Sequence, residues 1–318
     1  MPIKIPRSLP AKEILEGENI FVMDEDRAVT QDIRPLKICI LNLMPTKIVT
    51  ETQLLRLLSN TPLQVDITLL NTVSHRSKNT AAEHLETFYK TFADVRNDKY
   101  DGLIVTGAPV ERLDFTDVDY WDELCGIMEW AKTHVYSSLY VCWGAFAGLY
   151  YNHGIDKHPL EQKLSGVFRH RTLLPAHPLL RGFNEAFSAP HSRYSCVERS
   201  DIESNPSLLL LADSPEAGVY IAASADGREV YITGHPEYDT DTLRLECLRD
   251  CAIDPDTPPP VHYFPENNPA LPPVNTWKAH AHLLYSNWLN YFVYQTTPYD
   301  IMTIGKDEHA EDAPQAEA

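Results

Sequence analysis

The sequence predicts an α/β protein: a doubly wound, mainly parallel sheet with helices on both faces. Three observations predict it. Apolar runs alternate with helix-patterned segments through the first half of the 318-residue chain. Those runs are near-continuous rather than alternating, as strands buried on both faces must be. Three of them stop abruptly at polar or reactive side chains, at the strand ends where the crevice of such a sheet lies. The expected organisation is one domain over 1–305, with an N-terminal arm over about 1–35, a proline-rich crossing over about 254–275 and an acidic, disordered tail over 306–318.

The elements follow in order. KICILNLMP (37–45) reads as a buried strand, and TETQLLRLLSN (50–60) has helical spacing. Residues 64–70 form a second strand and 81–95 a second helix. YDGLIVTGAP (100–109) is a third strand with a Gly/Pro stop. Residues 118–134 are a third helix, and 135–141 a strand that runs straight into Cys142. Shorter strands are expected over 164–175, 208–212, 218–223 and 229–233, with Asp226-Gly227 as a hairpin signal. A helix over about 240–251, an irregular but ordered crossing over 254–274 and a last helix over 277–294 complete the chain. There is no internal repeat.

Composition excludes several function classes. The formal net charge is -18, of which the tail from Lys306 carries -4 and the body -14. So acidic a body argues against nucleic acid or an anionic membrane as partner, and an anionic substrate needs a local basic pocket. MPIKIPRSLPAKEIL lacks the apolar core of a secretion signal, and no stretch approaches the ~18 apolar residues of a membrane span. The cysteines (Cys39, Cys125, Cys142, Cys196, Cys247, Cys251) are scattered rather than framed. Free thiols in a reducing cytoplasm are expected, and no Cys or His spacing suggests a metal site.

Cys142 carries the chemistry. It stands where the strand 135–141 turns into a helix beginning WGAFAG. Unpaired N–H groups and the helix dipole at that corner favour a thiolate, the attacking form of cysteine. A buried structural thiol is the competing reading, and it suits Cys39, inside an apolar strand, better. A base is found in REVYITGHPEYD, where the strand 229–233 ends at Gly234 and His235 follows. Glu237 lies two residues on, placed to fix the imidazole tautomer and stabilise its cation.

The segments VCWGAFAGLYY, TGHPEYD, NLMPTKIVTE and GAPVE together resemble the homoserine O-acyltransferase family of methionine biosynthesis, over nearly the whole chain. The resemblance implies a flavodoxin-like fold, similar to class I glutamine amidotransferases. Their G-x-C-x-G elbow is half matched: Tyr140 replaces the first glycine and Gly144 keeps the second. That departure counts against a glutaminase.

The resemblance implies transfer of an acyl group from acyl-CoA to Cys142 and then to the hydroxyl of L-homoserine. His235 is the general base and Glu237 orients it. The backbone N–H of Trp143 is expected to hold the oxyanion, with Lys47 as a second candidate; a solvated helix-start lysine is the alternative for Lys47. Lys163, Ser192 and Arg249 match the family's substrate contacts, although a helix arginine and a turn hydroxyl are unremarkable by themselves. Glu111 matches a position where glutamate accompanies acetyl-CoA and glycine accompanies succinyl-CoA, which implies an acetyl donor: the side chain fills the longer group's space and repels its charge. Acetyl-CoA is then a co-substrate, with no bound cofactor, and a homodimer is expected. The rivals are a succinyltransferase, a Cys-His-Glu glutaminase or hydrolase on the same fold, and a non-catalytic binding protein.

Overall fold

The computed structural model describes residues 3–6, 8–17, 22–23, 34–75, 79–298 and 300–305. The predicted acidic tail and much of the predicted arm lie outside them. Four adjacent parallel strands form the centre of the sheet: β3 (Leu36–Leu41), β6 (Tyr100–Val105), β7 (Val135–Val141) and β12 (Glu229–Ile232). Beyond β3 the parallel half continues through β4 (Val65–Leu70) to the two-residue strands β1 (Ile3–Lys4) and β2 (Val22–Met23). Beyond β12 the sheet turns antiparallel through β11 (Gly218–Ser224), β10 (Leu208–Ser214), β8 (His158–Thr172) and β9 (Ala186–Cys196).

Strand order reverses at β3, because β4 lies on one side of it and β6 on the other. That is the switch point at which doubly wound sheets open a crevice. The period-2 alternation of each central strand divides its side chains between two cores. Ile38, Ile40, Ile104, Leu139 and Val141 face one core with Leu54, Leu58, Leu284 and Trp288. Cys39, Leu41, Leu103, Val105 and Tyr140 face the other with Leu124, Met128, Phe146 and Leu149. The first core is covered by α1 (Pro10–Gly17), α2 (Lys47–Leu58) and α9 (Lys278–Asn287), the second by α5 (Trp121–His134) and α6 (Trp143–His153). None of the described helices is long and apolar enough to cross a membrane.

Three elements differ from the sequence reading. The helix expected over 81–95 is broken into α3 (Ala82–Phe88) and α4 (Phe92–Val95) by the short strand β5 (Tyr89–Lys90). β5 pairs with β4, and the Tyr89 hydroxyl donates to the buried Glu51 carboxylate at 2.5 Å. Thr91 and Asp94 then restart the helix with a capping box. β9 was not expected, because PHSRYS is polar. Its His191, Ser192, Arg193 and Ser195 are nevertheless buried, paired along β8 and bonded to one another and to neighbouring loops. The last helix is α-helical only to Asn287 and widens into a π-helical stretch over Trp288–Tyr294, with Gln295 N–H bonded to the Asn290 carbonyl at 3.1 Å. Two further helices are α7 (Arg199–Glu203) and α8 (Thr242–Cys251).

At the amino end of β6, the fully buried Asp101 takes a bidentate pair of bonds from Arg34 (2.9 and 3.0 Å) and the Lys37 N–H at 2.7 Å. It ties the starts of β3 and β6 together. Asp101→Ala leaves the half-buried Arg34 guanidinium without its acid, a change that typically costs about 3 kcal/mol. A lower urea midpoint is expected, and an unchanged midpoint would contradict this role.

Candidate active site

β7 delivers Cys142 to the carboxyl edge of the sheet, and α6 begins at the next residue. Cys142 has φ 50° and ψ -117°, a backbone conformation that side chains other than glycine rarely adopt. The sharp turn lifts the thiol off the strand and leaves the Trp143 N–H among the helix-start donors with no intrahelical acceptor. Residue 144 must be glycine here, since a Cβ would lie 2.7 Å from the Thr106 carbonyl oxygen and 2.8 Å from that of Val105. Gly107, after β6, gives similar clearance at the thiol: a Cβ there would stand 3.2 Å from Cys142 Cβ and 3.3 Å from His235 Cε1.

The end of β12 brings His235 to the sulfur. The imidazole lies beside Cys142 and acts on its charge, and its Nδ1 meets Glu237 Oε1 at 2.7 Å. With Nδ1–H donated to the carboxylate, Nε2 is left to take a proton. Tyr238 stacks on the ring at 4.1 Å and 17°, fixing its plane. Burial pushes the Cys142 thiol up, and the carboxylates of Glu111 and Glu237 add to that against the attraction of His235. Burial alone would lower His235, but the charges of Cys142 and Glu237 outweigh it and raise the imidazole well above its usual range. The two groups exchange one proton, and both shifts make its loss from the pair harder.

Glu111 leans over the thiol. Its Oε1 lies 3.8 Å from Sγ, within reach of the S–H, and its Oε2 accepts the Tyr194 N–H at 2.5 Å. Burial pushes the Glu111 carboxyl up, against the Tyr194 N–H and the charges of His235, Arg193 and Lys163. Tyr194 belongs to β9, and Ser195 of the same strand donates to the Glu111 carbonyl at 3.2 Å. The buried Arg193 anchors this stretch: it donates to the carbonyls of Ser195 and Ala217 and, through Nε, to His191 Nδ1 at 3.2 Å. His191 must then carry its proton on Nε2, which it donates to His170 Nε2 at 2.9 Å. Burial and the neighbouring cation keep both imidazoles neutral, His170 being pushed down to about 3.

A cavity of about 610 Å³ opens over the thiol. Cys142, His235, Glu111, Lys163, Ser192 and Arg249 all line it, so the structure gathers these expected residues in one place. Lys163 Nζ lies 2.7 Å from Asp250 and 3.6 Å from Glu246. Ser192 Oγ donates to Glu246 at 2.5 Å, and Arg249 is paired with Asp250 at the surface. Glu237 stands behind His235, away from the lining.

Lys47 does not join them. Its ammonium turns back to the Asn42 carbonyl and lies 5.4 Å from the Tyr89 ring centroid, facing an adjoining pocket of about 190 Å³. Burial lowers Lys47 to about 8, against the charge of Glu51. A separate cleft of about 370 Å³ opens at the other ends of the strands, beside Val135 and Glu229, and holds none of these residues.

Sequence reasoning missed Arg193, Tyr238 and Glu246. A signal for Glu246 is present: Thr242, Leu245, Glu246 and Arg249 line the cavity at i, i+3, i+4 and i+7, one face of α8. Arg193 had no such signal, because β9 itself was not foreseen.

A buried thiol, an imidazole and a carboxylate in series are equipped for covalent acyl or acyl-like transfer. A model of the family described as homoserine O-succinyltransferase matches residues 2–299. A protein of Acetivibrio thermocellus named homoserine O-acetyltransferase is 58% identical over 301 residues, covering 95% of this chain and 99% of its own. One of Shouchella clausii with the same name is 59% identical over 302 residues, covering 95% and 97%. Among solved structures, a glutamine amidotransferase of Thermotoga maritima superposes with a TM-score of 0.53 over 81% of this chain and 98% of its own, at 10% identity. That likeness is one of fold.

Glu111→Gln removes a negative neighbour of the thiolate, so the pH midpoint for alkylation of Cys142 by iodoacetamide should move to lower pH. Rate measured against pH in the two proteins decides it, and a midpoint that stays or rises contradicts the placement of the carboxylate.

Proposed function

This chain belongs to the homoserine O-succinyltransferase family, and from that premise we propose that it transfers an acetyl group from acetyl-CoA to L-homoserine through a Cys142 thioester. The observation that carries the choice of acetyl is Glu111 Oε1 at 3.8 Å from Sγ. An acetyl group extends one methyl beyond the carbonyl carbon. A succinyl group would carry a second carboxylate into the space that Glu111 occupies, against a like charge in a partly desolvated site. Near-full-length relatives named homoserine O-acetyltransferase support the same reading.

In the first half-reaction the Cys142 sulfur loses its proton to His235 Nε2 and attacks the thioester carbonyl. The tetrahedral oxyanion is received by the Trp143 N–H; one such donor is typically worth ~10²–10³ in rate. Collapse expels the CoA thiolate, which takes the proton from His235. One thioester replaces another, so the acyl enzyme keeps its reactivity.

In the second half the homoserine hydroxyl gives its proton to His235 as it attacks. Collapse expels the Cys142 sulfur, which takes the proton back from His235, and releases O-acetyl-L-homoserine. Glu237, 2.7 Å from Nδ1, steadies the imidazolium in both halves. Arg249 is the group for the α-carboxylate, Lys163 and Ser192 frame the same wall, and Glu246 offers the carboxylate that a substrate ammonium requires.

Intact-mass spectrometry tests this reading. Acetyl-CoA should add one acetyl group, Cys142→Ala should abolish the adduct, and L-homoserine should clear it. No adduct sinks the acetyltransferase, and clearance by water at the same rate indicates a hydrolase. Separately, Glu111→Gly should shift donor preference toward succinyl-CoA by at least tenfold in kcat/KM, and an unchanged ratio removes the argument for acetyl.

A further inference from the structure

Coenzyme A is held largely through its phosphates, and the body of this chain is strongly acidic. Its phosphates therefore need a cation that the protein has not already neutralised. Three cationic side chains line the cavity over Cys142: Lys163, Arg249 and Arg112. Lys163 pairs with Asp250 and Glu246, and Arg249, paired with Asp250, is the group assigned above to the homoserine α-carboxylate. Arg112 is exposed and, among the described residues, makes no ion pair; its guanidinium lies over the Tyr194 ring, 4.0 Å from the centroid.

That placement is built rather than incidental. A guanidinium held over an aromatic face still has N–H donors to turn outward, in the fork that matches two phosphate oxygens. The backbone beneath it is clamped on both sides: Lys157 Nζ donates to the carbonyls of Glu111 (2.9 Å) and Leu113 (2.8 Å). The Tyr194 N–H holds the Glu111 carboxylate, which in turn touches the thiol, so Arg112 stands in a fixed relation to the reacting sulfur. Leu113 and Leu245, 45% and 60% exposed, line the same cavity and offer apolar surface to a pantetheine arm.

We propose that Arg112, laid on Tyr194, is the phosphate anchor of the acyl-CoA donor. The inference rests on the acetyl-CoA reading above.

The test compares acetyl-CoA with acetyl-pantetheine, which carries the same thioester without phosphate. In Arg112→Gln the preference for acetyl-CoA over acetyl-pantetheine, as a ratio of kcat/KM, should fall about tenfold, the factor one charge-assisted hydrogen bond supplies. Arg112→Lys should restore part of it, and Tyr194→Leu, which keeps the backbone N–H, should lose part. The salt dependence of KM for acetyl-CoA should flatten in Arg112→Gln. Acetyl-dephospho-CoA distinguishes the sources: a penalty that persists with it assigns the pyrophosphate, and one that disappears assigns the 3′-phosphate. An unchanged preference in Arg112→Gln overturns the proposal, as does a change confined to KM for homoserine. Failure of the underlying reading looks different: the wild-type protein would then take an acetyl group from neither donor.

Discussion

The first turn of α6 lies against the carbonyls of Val105 and Thr106, and the site depends on that approach. It needs residue 144 to be without a side chain. Given the approach, the end of β7 and the loop after β6 share one corner of the sheet, with β12 hydrogen-bonded along β7's other edge. The thiol, the carboxylate over it and the imidazole beside it come from three separate segments. Their relation is set by parallel pairing and helix seating, not by local sequence. Tyr140 illustrates the compensation involved. A side chain at that position of the strand must be housed beneath α6, and Gly148 supplies the room; a Cβ there would lie 3.0 Å from Tyr140 Cδ1.

The electrostatics around the sulfur favour a neutral group. Burial, Glu111 and Glu237 all disfavour a thiolate, while the positive charges of His235 and Arg193 pull the other way. An acyl thioester carries no charge, so forming it relieves what a thiolate would suffer in the same place. A free thiolate is disfavoured, so in the proposed reaction attack is coupled to the proton's passage to His235. Arg193 fits the same scheme. Its positive charge is buried, satisfied by carbonyls and a neutral imidazole rather than by an acid, so its field remains available to the nearby anions.

Much of this was legible in the chain. Continuous apolar runs identify buried parallel strands because no polar face interrupts them, and strand ends are where such sheets expose chemistry. That is why Cys142, His235 and Glu237 could be picked by position. β9 was not legible, because burial of polar residues depends on partners far away: His191 on His170, Ser192 on Glu246, Arg193 on Ala217. Pattern reading assigns such residues to a loop. Lys47 is a different case. Its place at the start of α2 and its i,i+4 relation to Glu51 were legible, but the turn of its ammonium back to the Asn42 carbonyl was not. Glu111 was reached through family resemblance alone; its contact with the thiol is a fact of tertiary structure.

The backbone at Cys142 has one more consequence, for how such a chain changes over generations. A φ of 50° with ψ -117° is unfavourable for any residue with a side chain, by about 1–3 kcal/mol, and natural for glycine. Stability and chemistry therefore press in opposite directions at this one position. On the role proposed for Cys142, a duplicated copy released from the demand for acyl transfer would gain stability by drifting to glycine there while keeping its fold. The residue at position 142 is thus a record of whether a descendant is still held to the reaction.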